Sequence, residues 1–181
     1  FQQRLPLLIK GPTGCGKTST IASMIDHINR TRASHIITIE DPIEFLHVDK
    51  KSIVSQREIG IDVHNWLDAL RTLMRQDPDV VVIGEMRDQQ TVTAAMRAAE
   101  TGHLVFGTLH ANNAAQTIQR LLDMFPQEER DLVRQTFAMS MRAIISQELL
   151  PGIRADVPRI PAVEVLINTP IIRKLISEER E

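Results

Sequence analysis

Short apolar runs alternate along this 181-residue chain with stretches whose apolar residues recur every three or four positions. That alternation is the βαβ signature of a mainly parallel sheet covered by helices, an α/β fold. Leu5–Ile9 predicts a first strand and Ser19 to about Arg30 a helix. Ile36-Ile37-Thr38-Ile39 predicts a second strand that ends at Glu40-Asp41-Pro42. Trp66, Leu67, Leu70, Leu73 and Met74 fall at helical spacing. Val80-Val81-Val82-Ile83 is a continuous β-branched run, the pattern of a strand buried on both faces. Val92, Ala95, Met96 and Ala99 share a helical face, and Leu104–Leu109 predicts a fourth strand. Ile118, Leu121, Leu122 and Phe125 form another helical stripe, closed by Pro126. From about Gln127 to Leu150 the pattern predicts one long helix, broken at Pro151-Gly152. Pro158 and Pro161 mark an irregular stretch, Val163–Ile167 is a last strand candidate, and Pro170 opens a C-terminal helix. The expected division is a core over 1–150 and a C-terminal extension of the same domain over 151–181.

Polar residues placed on this frame gather at strand ends. Between the first strand and the first helix stands Gly11-Pro12-Thr13-Gly14-Cys15-Gly16-Lys17-Thr18, the Gly-x4-Gly-Lys-Thr phosphate-binding loop in its strand–loop–helix setting. Glycines let successive N–H groups turn inward on phosphate oxygens, and the following helix adds its positive N-terminal end. Thr13, Gly14, Cys15, Gly16, Lys17, Thr18 and Ser19 are therefore the candidate nucleotide-binding residues. Lys17 reaches the β- and γ-phosphates, and the Thr18 hydroxyl is a candidate Mg²⁺ ligand. Glu40, Asp41 and Glu44 follow the second strand, Glu85 the third, and His110 closes the fourth. In parallel α/β sheets ligands bind beyond the carboxyl ends of the strands. The third strand ends in Ile83-Gly84-Glu85, with glycine where such segments usually carry an aspartate. Glu85 is then the group expected to orient the attacking water. Glu40 joins it as a catalytic candidate, and Asp41 and Glu44 are expected to support the metal through water, since Mg²⁺ keeps several waters. His110 is expected to bond Glu85 or the γ-phosphate. His103 lies at the opposite end of its strand, roughly 23 Å away at the rise of an extended chain, so the two cannot share one ion. It reads equally as a capping or subunit-contact histidine, and Arg87 as a partner of Glu85.

Composition narrows the classes. A net charge of −2 gives no electrostatic case for nucleic acid as a bulk partner. The single cysteine, Cys15, forms no intrachain disulfide or zinc cluster and fits a reducing cytosol. No apolar run approaches the length of a membrane span, so direct membrane insertion is not expected. The chain opens on Phe1-Gln2-Gln3, which suggests a fragment.

The phosphate loop, the acidic box Thr38-Ile39-Glu40-Asp41-Pro42-Ile43-Glu44-Phe45, Gly84-Glu85-Met86-Arg87-Asp88 and the histidine box Thr101–His110 stand in the order of a known family. The chain resembles the motor domain of the type II/IV secretion ATPases, and within them the branch that retracts type IV pili. The resemblance implies a RecA-like P-loop fold, ATP and Mg²⁺ as cofactors, and hydrolysis that drives pilus retraction and twitching motility. It implies a homohexameric ring, peripheral at the cytoplasmic face of the inner membrane and partnered by the platform protein of the pilus base. It makes Glu85 the catalytic glutamate and His103 and His110 the histidine-box residues. It also implies a PAS-like domain in front, absent from this chain. Relatives that extend pili or secrete proteins commonly carry a four-cysteine zinc module after the histidine box, and no cysteine stands there. The tail Ile171-Ile172-Arg173-Lys174-Leu175-Ile176-Ser177-Glu178 is similar to the retraction signature and departs from it at Ile171, Lys174 and Ser177. Two other readings remain open: an assembly or secretion ATPase without its zinc module, and a nucleotide-gated binding subunit with weak turnover.

Overall fold

A computed structural model of the chain describes residues 7–111, 113–153 and 156–178. Its strands are β1 (Leu7–Lys10), β2 (His35–Glu40), β3 (Ile53–Glu58), β4 (Val80–Ile83), β5 (Leu104–Leu109), β6 (Ala143–Pro151) and β7 (Arg159–Ile167). Its helices are α1 (Lys17–Thr31), α2 (Trp66–Leu73), α3 (Gln89–Glu100), α4 (Ala114–Asp123), α5 (Arg130–Ser140) and α6 (Pro170–Ser177). The strands form one sheet in the order β3-β2-β4-β5-β1-β6-β7. Every neighbouring pair is parallel except β6 with β7. The expected α/β architecture, a mostly parallel sheet flanked by helices, is therefore present.

The buried strands alternate their side chains between two cores, as a period of two requires. Val80 and Val82 join Ile9, Ile36 and Phe106 against Ile21, Ile25 and Ile28 of α1. Val81 and Ile83 join Ile37, Ile39 and Leu109 against the helices of the other face. Helix starts follow local chemistry. Asn65, Asn113 and Thr169 each accept a backbone N–H from the first turn of α2, α4 and α6. Asp88 and Thr91 form a reciprocal capping box on α3.

The structure departs from the sequence pattern at four points. Residues 127–150 do not form one helix: a short 3-10 turn over Gln127–Glu129 leads into α5, which stops at Ser140, and β6 follows. No glycine or proline marks the break. It is set from afar by Asn168, whose Nδ2 donates to the carbonyls of Ala138 (2.8 Å) and Met141 (2.7 Å), while its backbone N–H takes Arg142 O at 2.9 Å. The helix carbonyls are thereby satisfied without another turn. Strand β3 was not predicted, because Ile53-Val54-Ser55-Gln56-Arg57-Glu58 is a half-exposed edge strand with no apolar alternation. Pro161 lies inside β7 rather than in an irregular stretch, on the sheet's other edge, where a missing N–H can be tolerated. The first strand begins at Leu7 among the described residues and runs one residue further than expected, to Lys10.

Candidate active site

Because β1, β2, β4 and β5 are parallel, their carboxyl ends open on one edge of the sheet. A cavity of about 580 Å³ lies there. It is lined by Thr13, Gly14, Gly16, Lys17, Thr18 and Ser19 from the loop and α1, by Glu40, Asp41, Pro42 and Glu44 after β2, and by Gly84, Glu85 and Arg87 after β4. Thr108 and His110 at the end of β5 and Trp66 of α2 complete it.

The loop folds back tightly. Gly16 caps α1 in the left-handed region (φ 90°), a conformation only glycine adopts without strain. The Lys17 ammonium is held by the carbonyls of Gly11 (2.9 Å) and Pro12 (3.0 Å). Cys15 is buried and does not line the cavity; its N–H meets Pro12 O at 3.3 Å. On the opposite wall, Glu40 Oε1 accepts from Thr38 Oγ1 at 2.6 Å and Gln56 Nε2 at 3.2 Å. One oxygen of this carboxylate is thus fixed by β2 and β3.

Glu85 sits at the centre of the charged groups. Its Oε2 accepts from Arg87 Nε at 2.7 Å and Nη2 at 2.6 Å, and its Oε1 lies 3.2 Å from His110 Nε2. Arg87 also lies 3.7 Å from Asp41 Oδ2. Its hydrogen bond to Glu85, and then the charges of Glu85 and Asp41, raise the guanidinium pKa above its ordinary value, so Arg87 stays a cation at any working pH. The carbonyl of His110 is held by Arg120 of α4.

His103 is not part of this assembly. Its Nδ1 lies 2.8 Å from Ala98 O and 3.0 Å from Thr101 Oγ1, so the ring closes the C-terminal end of α3. Trp66, Gly84, Thr108 and Gln147 carry roles at the site that sequence reasoning did not give them. Trp66 read as one member of an apolar stripe, and its being the single tryptophan, beside the helix-capping Asn65, was the available signal. Gln147 lay within the stretch misread as helix.

Gly84 has a packing reason. A Cβ there would stand 3.1 Å from Ile39 O and 3.2 Å from Glu40 Cα, because Gly84 N–H bonds Ile39 O at 2.8 Å. Placing an aspartate at this strand end would push β4 away from the acidic turn. Gly84→Asp is expected to cost about 1–3 kcal/mol of stability rather than improve metal binding. Denaturant unfolding measures this, and a variant as stable as the parent would refute the close-approach argument.

Among the described residues no group of three or more His, Cys, Asp or Glu forms a cage for a metal ion. The donor set fits Mg²⁺ carried in with a nucleotide, since that ion takes only one or two protein groups beside phosphate and water. Thr18, with Glu40, Asp41 and Glu44 across the same cavity, supplies oxygen donors of that kind.

Comparisons with known proteins identify the family and the fold. The chain is 50% identical over 174 residues to the type IV pilus retraction ATPase PilT of Pseudomonas aeruginosa, a match covering 96% of this chain and 50% of that protein. It is 48% identical over 174 residues to a twitching motility protein of Neisseria gonorrhoeae, covering 96% of this chain and 46% of the relative. The crystal structure of the pilus retraction motor PilT with bound ADP superposes with a TM-score of 0.93 at 54% identity, over 98% of this chain and 51% of that one. This chain therefore spans about half the length of the curated relatives it matches. The RecA-like fold expected from the motifs is the one it shares with these ATPases. The family described as Type II/IV secretion system protein matches residues 1–169, and the chain belongs to that family.

Proposed function

We propose that this chain is the catalytic part of a motor that hydrolyses Mg²⁺-ATP to retract type IV pili. The observation that carries the hydrolytic reading is the bonding of Glu85. An ionised carboxylate offers about four acceptor sites. Arg87 fills two on Oε2, and His110 Nε2 lies 3.2 Å from Oε1. Oε1 keeps acceptor capacity for a water, in a carboxylate held by Arg87 through its other oxygen. Lys17 and the N–H groups at the start of α1 bind the phosphates, with Thr18 and the acidic turn holding the metal, which neutralises charge on the transferring phosphoryl group. His110 orients Glu85 and stands where it can respond to a γ-phosphate. Arg87 sets a positive charge against Glu85 beside a polyanion.

Retraction is supported by the PilT and twitching-motility relatives and by the lack of a zinc-module cysteine after the histidine box. We assign a homohexameric ring at the inner-membrane base of the pilus, with a membrane platform protein as partner, on the family resemblance. Among the described residues no helix is long and apolar enough to cross a membrane.

The full-length protein is expected to release phosphate from ATP in Mg²⁺ and to fall to background in EDTA. Tight ATP binding without release would favour the gated-binder reading. Deleting the gene is expected to leave excess, non-retracting pili, and cells without pili would point to assembly.

A further inference from the structure

We propose that Gln147 is a positioning residue that sets the shape of the phosphate loop from the neighbouring strand. This rests on the ATP-hydrolysing reading above. Strand β6 runs parallel to β1, and the last paired residues are Lys10 and Ser146. Gln147 therefore lies one step past the end of β1, beside Gly11, where the loop begins. Its side chain is buried, at 6% exposure. Nε2 donates to Cys15 O at 2.7 Å, and Oε1 accepts from Thr20 Oγ1 at 2.8 Å. An amide carries its donor and its acceptor on separate atoms, so one residue ties the middle of the loop to the first turn of α1.

The consequence for phosphate follows from peptide geometry. In a trans peptide the C=O and the next N–H point in opposite directions. Holding the Cys15 carbonyl against β6 turns the Gly16 N–H away from β6, on the side of the cavity that Gly16 lines. Two glycines are packed on the same residue. A Cβ at Gly11 would collide with the Gln147 carbonyl oxygen, and one at Gly16 would stand 2.8 Å from Gln147 Nε2. The loop glycines thus serve close approach to β6 as well as the loop's turn.

The test uses the full-length protein with ADP and ATP as probes. Gln147→Ala leaves the Cys15 carbonyl and the Thr20 hydroxyl without this partner. It is expected to raise the ADP Kd and the KM for ATP about tenfold, the worth of a buried hydrogen-bond pair. The kcat should change far less, because Glu85 and His110 are untouched. Gln147→Glu faces a carboxylate toward a carbonyl oxygen and should lose at least as much. Thr20→Val should give a smaller loss in the same direction, and should add little to Gln147→Ala in the double variant. Circular dichroism melts confirm that each variant is folded at the assay temperature. Folded Gln147→Ala with an ADP Kd within about twofold of the parent, or a Thr20→Val loss that adds in full, would overturn the proposal. Should Gln147→Ala not fold, Gln147→Glu and Thr20→Val are judged by the same criterion. A parent protein that binds no nucleotide would overturn the functional reading instead.

Discussion

Glu85→Gln is expected to lower kcat for ATP hydrolysis by about 10²–10⁴-fold while nucleotide still binds. The amide keeps the size of the carboxylate, so the cavity stays filled. What it loses is the charge and the acceptor site that orients water. It also unbalances the wall: Arg87 would face an amide oxygen at best, leaving its charge with Asp41, at 3.7 Å, as an acidic partner. Lys17, Thr18 and the loop N–H groups are unaffected, so affinity should stay within a few-fold. Single-turnover phosphate release and equilibrium titration with ATP separate the two effects. A variant that keeps most of its turnover would remove Glu85 from the chemistry and favour a gated binder.

The second large effect concerns binding. Lys17→Ala is expected to weaken ATP affinity by about 100-fold or more, since charge-assisted hydrogen bonds are worth about 1.5–3 kcal/mol each. Two losses combine. The ammonium that would pair with the β- and γ-phosphates is gone, and so is the brace that ties the start of α1 to Gly11 O and Pro12 O. Lys17→Arg separates them, because it keeps the charge but not the compact ammonium geometry. Calorimetric titration with a slowly hydrolysed ATP analogue reads both variants. Unchanged affinity in Lys17→Ala would dismantle the phosphate-loop argument.

Much of this site could be read before any coordinates. Fixed spacing marks the loop, and residues following four apolar runs gather at one sheet edge if those runs are parallel. Glu40, Asp41, Glu44, Glu85, Arg87 and His110 line one cavity for that reason. His103 does not, and its offset along the strand from His110 already set it apart. The misreadings have a common cause. A short apolar run carries no decisive period, so Ala143-Ile144-Ile145 continues a helical pattern as well as it begins a strand. Edge strand β3 is equally silent, since one half-exposed ladder needs no apolar alternation.

The sequence by itself determined the local devices: the loop, the fully buried β4, and the order in which the charged groups appear. These depend on backbone geometry and near neighbours, which a few consecutive residues specify. Only the tertiary structure decided where α5 ends, that β6 stands beside β1, that Gly84 must lack a side chain, and that Gln147 reaches the loop. Each of those is settled by groups tens of residues away, whose hydrogen bonds and contacts exist once the sheet has closed around them.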